Sequence, residues 1–193
     1  MKRFVVAITG ASGSIFGVRL LEELLNVAEV HLVISKNTFP IIKDETGLDW
    51  AANTESVVRN HFASDKLFFH EDSDMTSPPA SGSFKTDGML VVPCSMKTLS
   101  GIANGYSNNL IERAADVTIK EGRALLISPR ETPFSAIHLE NMLKLAKFGV
   151  RIVPPVPAFY QKPKVIDDIV DFIIGKILDS IGVEHNLFTR WGS

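Results

Sequence analysis

The sequence holds a single cysteine, Cys94, among 193 residues, so no intramolecular disulfide is possible. That agrees with a reducing compartment, and a cytoplasmic protein is expected. No apolar run is long enough to cross a bilayer. The first residues pass straight into a strand-like run, without the small-residue cleavage region of a signal peptide. Charge of one sign is also lacking: 20 Lys and Arg face 22 Asp and Glu, a net charge of -2. A nucleic-acid-binding polycation or an acidic tail is thereby excluded. The histidines (His31, His61, His70, His138 and His185) show no metal-ligand spacing, so no metal site is expected. No internal repeat and no boundary for a second domain interrupt the chain. Residues 1–193 are therefore expected to form one domain, a length sufficient for a sizeable core.

What is present is strongest at the start. Phe4 to Ile8 is a continuous apolar run, suited to a buried parallel strand. A turn rich in glycine and serine follows over 9–14, and apolar residues at helical spacing follow that. Strand, turn and helix N-terminus together form an anion site, because free N–H groups and the helix dipole point at the turn. A ligand carrying phosphate is the first expectation.

Strand-like runs at 4–8, 30–34, 89–92, 124–127 and 150–153 alternate with helical patterns at 15–25, 38–45, 54–60, 98–105, 109–121, 135–148 and 166–181. This is the pattern of a doubly wound α/β parallel sheet. Residues 63–87, rich in Ser, Pro and Asp, read as a long loop and a candidate lid. Pro154 to Pro157 reads as a rigid extended segment, and 183–193 as a C-terminal tail.

Ligands of such sheets sit beyond the carboxyl ends of the strands. Strand one is followed by Gly10-Ala11-Ser12-Gly13, either an ordinary tight turn or a close approach to ligand. Strand two is followed by Ser35-Lys36, where an NAD site wants an acid. A hydroxyl and an ammonium suit a phosphate instead, although Ser35 also reads as a plain helix cap. After strand three, Ser95 and Thr98 can cap the next helix, with Met96 and Lys97 between them. Cys94 reads as a buried cysteine rather than a nucleophile.

Strand four runs into Arg130-Glu131 between two prolines. Arg130 suits a phosphate or a flavin carbonyl, and Glu131 suits proton transfer; a local salt bridge is the plainer account. Phe159 and Tyr160 follow the proline segment, Phe159 reading as a core plug. Arg113 and Lys120, seven residues apart, share one helix face. Such charges, like Lys176, are usually solvated.

Seven motifs recur together in one known family. They are Thr-Gly-Ala-Ser-Gly (9–13), Pro-Pro-Ala-Ser-Gly-Ser (78–83), Pro-Cys-Ser-Met-Lys-Thr-Leu-Ser (93–100) and Glu-Arg-Ala-Ala-Asp-Val (112–117). Pro-Arg-Glu-Thr-Pro (129–133), His-Leu-Glu-Asn-Met (138–142) and Pro-Pro-Val-Pro-Ala-Phe-Tyr (154–160) complete the set. From residue 1 to Trp191 the chain closely resembles the UbiX-like flavin prenyltransferases.

The resemblance implies a Rossmann- or flavodoxin-like three-layer subunit in a homo-oligomer, typically a dodecamer. It implies a metal-independent transfer of the dimethylallyl group from dimethylallyl monophosphate to N5 and C6 of reduced FMN. The prenylated FMN then passes to a UbiD-type decarboxylase, often in ubiquinone biosynthesis or aromatic-acid decarboxylation. By motif, Gly10, Ala11 and Ser12 line the FMN site and Ser35 meets its phosphate. Ser95, Met96, Lys97, Thr98 and Arg130 also contact the flavin. Glu131 resembles the acid–base residue, and Glu45 a second carboxylate that works near Ser12. Tyr160 and Lys176 match positions that hold the dimethylallyl phosphate. Arg113 and Lys120 match further phosphate ligands that a neighbouring subunit would present. Two positions depart from many relatives: Lys176 replaces an arginine, and Met75 lies where some carry a tryptophan.

Three other readings compete. Flavin-dependent cysteine decarboxylases carry Pro-Ala-Ser-Ala-Asn, where this chain reads Pro-Ala-Ser-Gly-Ser (79–83). A short-chain NADP reductase needs Tyr160 and Lys164 on one helix, which Pro163 would break. A non-catalytic FMN carrier would keep the flavin contacts without needing Glu131, Arg113 or Lys120.

Overall fold

The computed structural model describes residues 1–52, 54–190 and 192; Trp191, where the resemblance ends, lies outside the described residues. Six parallel strands form one sheet in the order β3-β2-β1-β4-β5-β6 among the described residues. They are β1 (Lys2–Ile8), β2 (Ala28–Ile34), β3 (Leu67–Glu71), β4 (Gly88–Cys94), β5 (Ala124–Pro129) and β6 (Arg151–Ile152). The helices are α1 (Ser14–Val27), α2 (Phe39–Thr46), α3 (Thr54–Phe62), α4 (Met96–Ala103), α5 (Leu110–Lys120), α6 (Ala136–Lys147) and α7 (Ile166–Ser180).

Alternation along each strand divides the core in two. Phe4, Val6 and Ile8 face one layer with Leu20, Leu24 and Ile174. Val5 and Ala7 face the other with Leu99, Leu110 and Ala114. Helices cover both sides, so β4 is buried along its whole length and its apolar run is unbroken. Helix α1 comes close enough to the sheet that a Cβ on Gly17 would lie 2.7 Å from the Val92 carbonyl oxygen. Connections leave β1 in one direction and β4 in the other, so the switch in strand order falls between them. A crevice opens at such a point, beyond the carboxyl ends of β1 and β4.

The loop expected over 63–87 is corrected in part: it contains the edge strand β3 and a 3₁₀ turn, Pro78–Ala80. Only Leu67 and Phe69 of β3 turn inward to the core. On the other face, His70 Nε2 lies 2.8 Å from His31 Nδ1, and His31 Nε2 lies 2.9 Å from a Glu29 carboxylate that also holds Arg3. Burial, then the neighbouring His31, pushes the His70 imidazole down to about 4. The pair is uncharged at neutral pH, and a polar link joins β3 to β2 where apolar packing is thin.

Candidate functional site

Four strand ends build the crevice. Thr9, just past β1, ties two of them: its N–H and Oγ1 donate to the Pro93 carbonyl at 3.2 and 3.0 Å, and Oγ1 accepts the Ser95 N–H at 2.8 Å. The Ser35 N–H donates to the Ile8 carbonyl at 3.0 Å, and the Arg130 N–H to the Cys94 carbonyl at 3.1 Å. Residues 9–14, Ser35, Ser95 and Arg130 are thus set side by side on one rim.

The expected anion site at the start of α1 needs correction. Gly13, in the left-handed region at φ 92°, turns the chain into the helix without a side-chain cap of its own. Glu45, at the end of α2, supplies the cap. Its carboxylate accepts the Gly13 N–H at 3.0 Å, the Ser14 N–H at 2.8 Å and the Ser14 hydroxyl at 2.7 Å. The protein's own anion therefore occupies the helix terminus that the sequence assigned to ligand phosphate. Burial alone would raise the Glu45 carboxyl, but hydrogen bonds from Ser12, Ser14 and the two backbone amides outweigh it and hold the carboxyl below its ordinary value. Ser12 is exposed at the turn, pointed on by the same carboxylate that grips its neighbours.

Helix α4 offers a second N-terminus on the rim. Ser95 caps it, its Oγ accepting the Thr98 N–H at 3.3 Å and donating to Thr98 Oγ1 at 3.1 Å. The amides of Met96 and Lys97 lie in the first turn, where no preceding carbonyl can reach them. Ser35 precedes a 3₁₀ turn but makes no side-chain cap bond, which leaves its hydroxyl for other work. Cys94 is fully buried and burial pushes its thiol up, so it is no nucleophile here.

Among the described residues, Arg130 and Glu131 do not form the plain salt bridge. Glu131 is exposed and accepts the Thr132 N–H at 3.0 Å. Arg130 Nε is buried and has no hydrogen-bond partner among the described residues. An orphaned donor of this kind calls for a partner that the chain itself does not supply.

The remaining basic residues fall into two groups. Arg113 and Lys120 lie along α5 against the 78–83 segment: Arg113 Nε donates to the Ala80 carbonyl at 3.1 Å, and Lys120 Nζ pairs with Glu121 at 3.1 Å. Tyr160 and Lys176 lie on the other side of the sheet, Tyr160 edge-on to Phe172 of α7 at 5.9 Å. The core-plug expectation for Phe159 is corrected: it is 71% exposed, beside a Tyr160 that is also exposed.

Residues 1–178 match the family model described as Flavoprotein. The chain is 52% identical over 191 residues to the flavin prenyltransferase UbiX of Methanocaldococcus jannaschii, covering 99% of each. The chain belongs to the UbiX family of flavin prenyltransferases. A yeast member, the mitochondrial flavin prenyltransferase PAD1 of Saccharomyces cerevisiae, is 49% identical over 98% of this chain and 75% of its own. Among solved structures, that of AnUbiX (PadA1) with FMN and dimethylallyl pyrophosphate matches with a TM-score of 0.90 at 45% identity, over 100% of this chain and 98% of that one. A dodecameric FMN-dependent UbiX-like decarboxylase from Escherichia coli O157:H7 matches at 0.89 and 46%, over 99% and 100%. The peptidyl-cysteine decarboxylase EpiD, at 20% identity and a TM-score of 0.59, shares the fold alone.

Two residues that hold the rim together carry no such signal in the sequence. Thr9 reads as part of a glycine turn, although it is the first residue beyond β1. Ser14 reads as the end of that turn, while it is the helix residue bound by Glu45. Replacing Glu45 by alanine is expected to lower the unfolding free energy by about 1–2 kcal/mol in urea titrations, the usual loss of a charged helix cap. The pH dependence follows in sign. The folded carboxyl is depressed, so its contribution is full above the ordinary value of 4.5 and is lost as pH falls through the lower native value. Below pH 4.5 the wild type should therefore lose stability more steeply than Glu45→Gln.

Proposed function

We propose that this flavin prenyltransferase joins the dimethylallyl group of dimethylallyl monophosphate to reduced FMN, and supplies prenylated FMN to a UbiD-type decarboxylase in the cytoplasm. The observation that carries the reading is the rim itself: an Arg130 Nε with no partner among the described residues, beside an exposed Glu131 and on the same rim as Ser12 and Ser35. These residues fit FMN. Ser35 and the α4 amides of Met96 and Lys97 suit its phosphate, and Gly10, Ala11 and Ser12 would line the flavin. The Thr98 hydroxyl and Arg130 suit polar ring edges. When bound, reduced FMN supplies N5 and C6 as the two positions that accept the five-carbon group and close a fourth ring.

The chain's own residues then have separable work. Lys176, Arg113 and Lys120, with Tyr160, stabilise the departing phosphate. Glu131 takes the ring proton, and Glu45 fixes the turn and the Ser12 hydroxyl. An oligomer is part of the proposal, the dodecamer of the E. coli relative being its form. It accounts for α6, whose Ile137, Leu139 and Leu143 are more than half exposed, with Phe148 beside them. Anaerobic incubation with reduced FMN and dimethylallyl monophosphate should yield a flavin heavier by one five-carbon unit in the mass spectrum. Bound but unmodified FMN would favour the carrier.

A further inference from the structure

After α7 the chain turns back, and residues 183–190 dock along that helix beside Tyr160 and Lys176. One carboxylate gathers the contacts. Asp179 accepts from Arg190 through both guanidinium nitrogens, at 2.9 and 3.3 Å, and from His185 Nε2 at 3.2 Å; Lys176 Nζ lies 3.9 Å away. His185 is 1% exposed, and its Nδ1 accepts the Leu187 N–H at 3.2 Å, so the ring proton faces Asp179. Gly175 clears the face of α7 for this packing: a Cβ there would lie 2.6 Å from the His185 ring and would also strike Phe188. Phe188 lies 5.1 Å from Phe172, which meets Tyr160 edge-on. The Gln161 side chain, next to Tyr160, donates to the Thr189 carbonyl at 3.0 Å.

Several contacts of the docked segment thus end on a neighbour of Tyr160 or Lys176. Resting on the functional reading above, we infer that Asp179 is a positioning residue: it fastens residues 183–190 as a wall of the prenyl-phosphate subsite and brings Arg190 there as a second cation beside Lys176. Asp179 and the nearby Glu184 balance the ammonium and the guanidinium, so the two cations suit a phosphate as hydrogen-bond donors rather than through excess charge. Two opposite effects are separable. Asp179 as a mere repelling anion would weaken donor binding, so its removal would lower KM. Asp179 as a fastener orders the subsite, so its removal raises KM.

The test is steady-state kinetics of the full-length protein with reduced FMN and dimethylallyl monophosphate. Asp179→Asn is expected to raise KM for the donor about tenfold, the scale of one surface ion-pair network. The kcat and the FMN dissociation constant should stay within about twofold. Arg190→Ala, which removes an exposed side chain and spares the core, should raise KM alike and add little in the double variant. Arg190→Lys should recover part of the loss. A lowered or unmoved KM in Asp179→Asn, or an unmoved KM in Arg190→Ala, overturns the inference while wild-type activity stands. A wild type that leaves the flavin unmodified brings down the functional reading as well, and the two failures are distinct.

Discussion

Glu131→Gln is expected to slow the appearance of prenylated flavin by about 10²–10⁴-fold while FMN still binds. Glutamine keeps the size of the side chain and an oxygen for the Thr132 N–H, which Glu131 accepts at 3.0 Å. Rim geometry is therefore conserved and only proton transfer is removed. That amide aside, the carboxylate is not held by Arg130: no ion pair joins the two among the described residues, and Glu131 stands exposed one residue past it. A carboxylate free to meet the ring can take the proton that leaves as the second carbon bond forms. The check is an anaerobic time course by mass spectrometry, with FMN retention measured on the same sample. A non-catalytic carrier predicts no difference between the two proteins, and wild-type rates in the variant would remove Glu131 from the chemistry.

The contrast between what was legible in the sequence and what was not follows the distance over which each feature is decided. The central strands were readable because burial on both faces leaves an unbroken apolar run in Val5-Val6-Ala7 and in Leu90-Val91-Val92. The edge strand β3 was not. Its Leu67 and Phe69 alternate with an exposed Phe68 and a histidine that finds its partner, His31, only across the sheet. Surrounding Ser, Pro and Asp residues outweighed so short a pattern. The rim residues were legible because a parallel sheet must place each post-strand residue at the same edge. What fills the α1 terminus was not, since Glu45 lies about thirty residues from Ser14 and only the packing of α2 on α1 makes it a cap. Phe159 failed for the converse reason: an aromatic after a rigid proline segment reads as core, yet no layer covers it on this chain.

One chain keeps the residues matched to the prenyl phosphate on two sides of its sheet. Arg113 and Lys120 flank the 78–83 segment on the α5 face, whereas Tyr160 and Lys176 sit by α7 on the opposite face. The resemblance makes Tyr160 and Lys176 ligands of the dimethylallyl phosphate, and Arg113 and Lys120 further phosphate ligands. A sheet between two halves of a phosphate site is resolved most simply if each site takes α5 from a neighbouring copy. Lys120→Ala should then lower turnover by about 10²–10³-fold, as loss of a cation on a leaving phosphate does, and Arg113→Ala should act similarly. The decisive version mixes subunits. Lys120→Ala and Glu131→Gln chains, each nearly inactive alone, should regain up to about a quarter of wild-type activity when co-assembled, because random pairing restores that share of intact sites. A site built within one chain predicts no recovery at any mixing ratio, since every chain then carries one lesion in its own site.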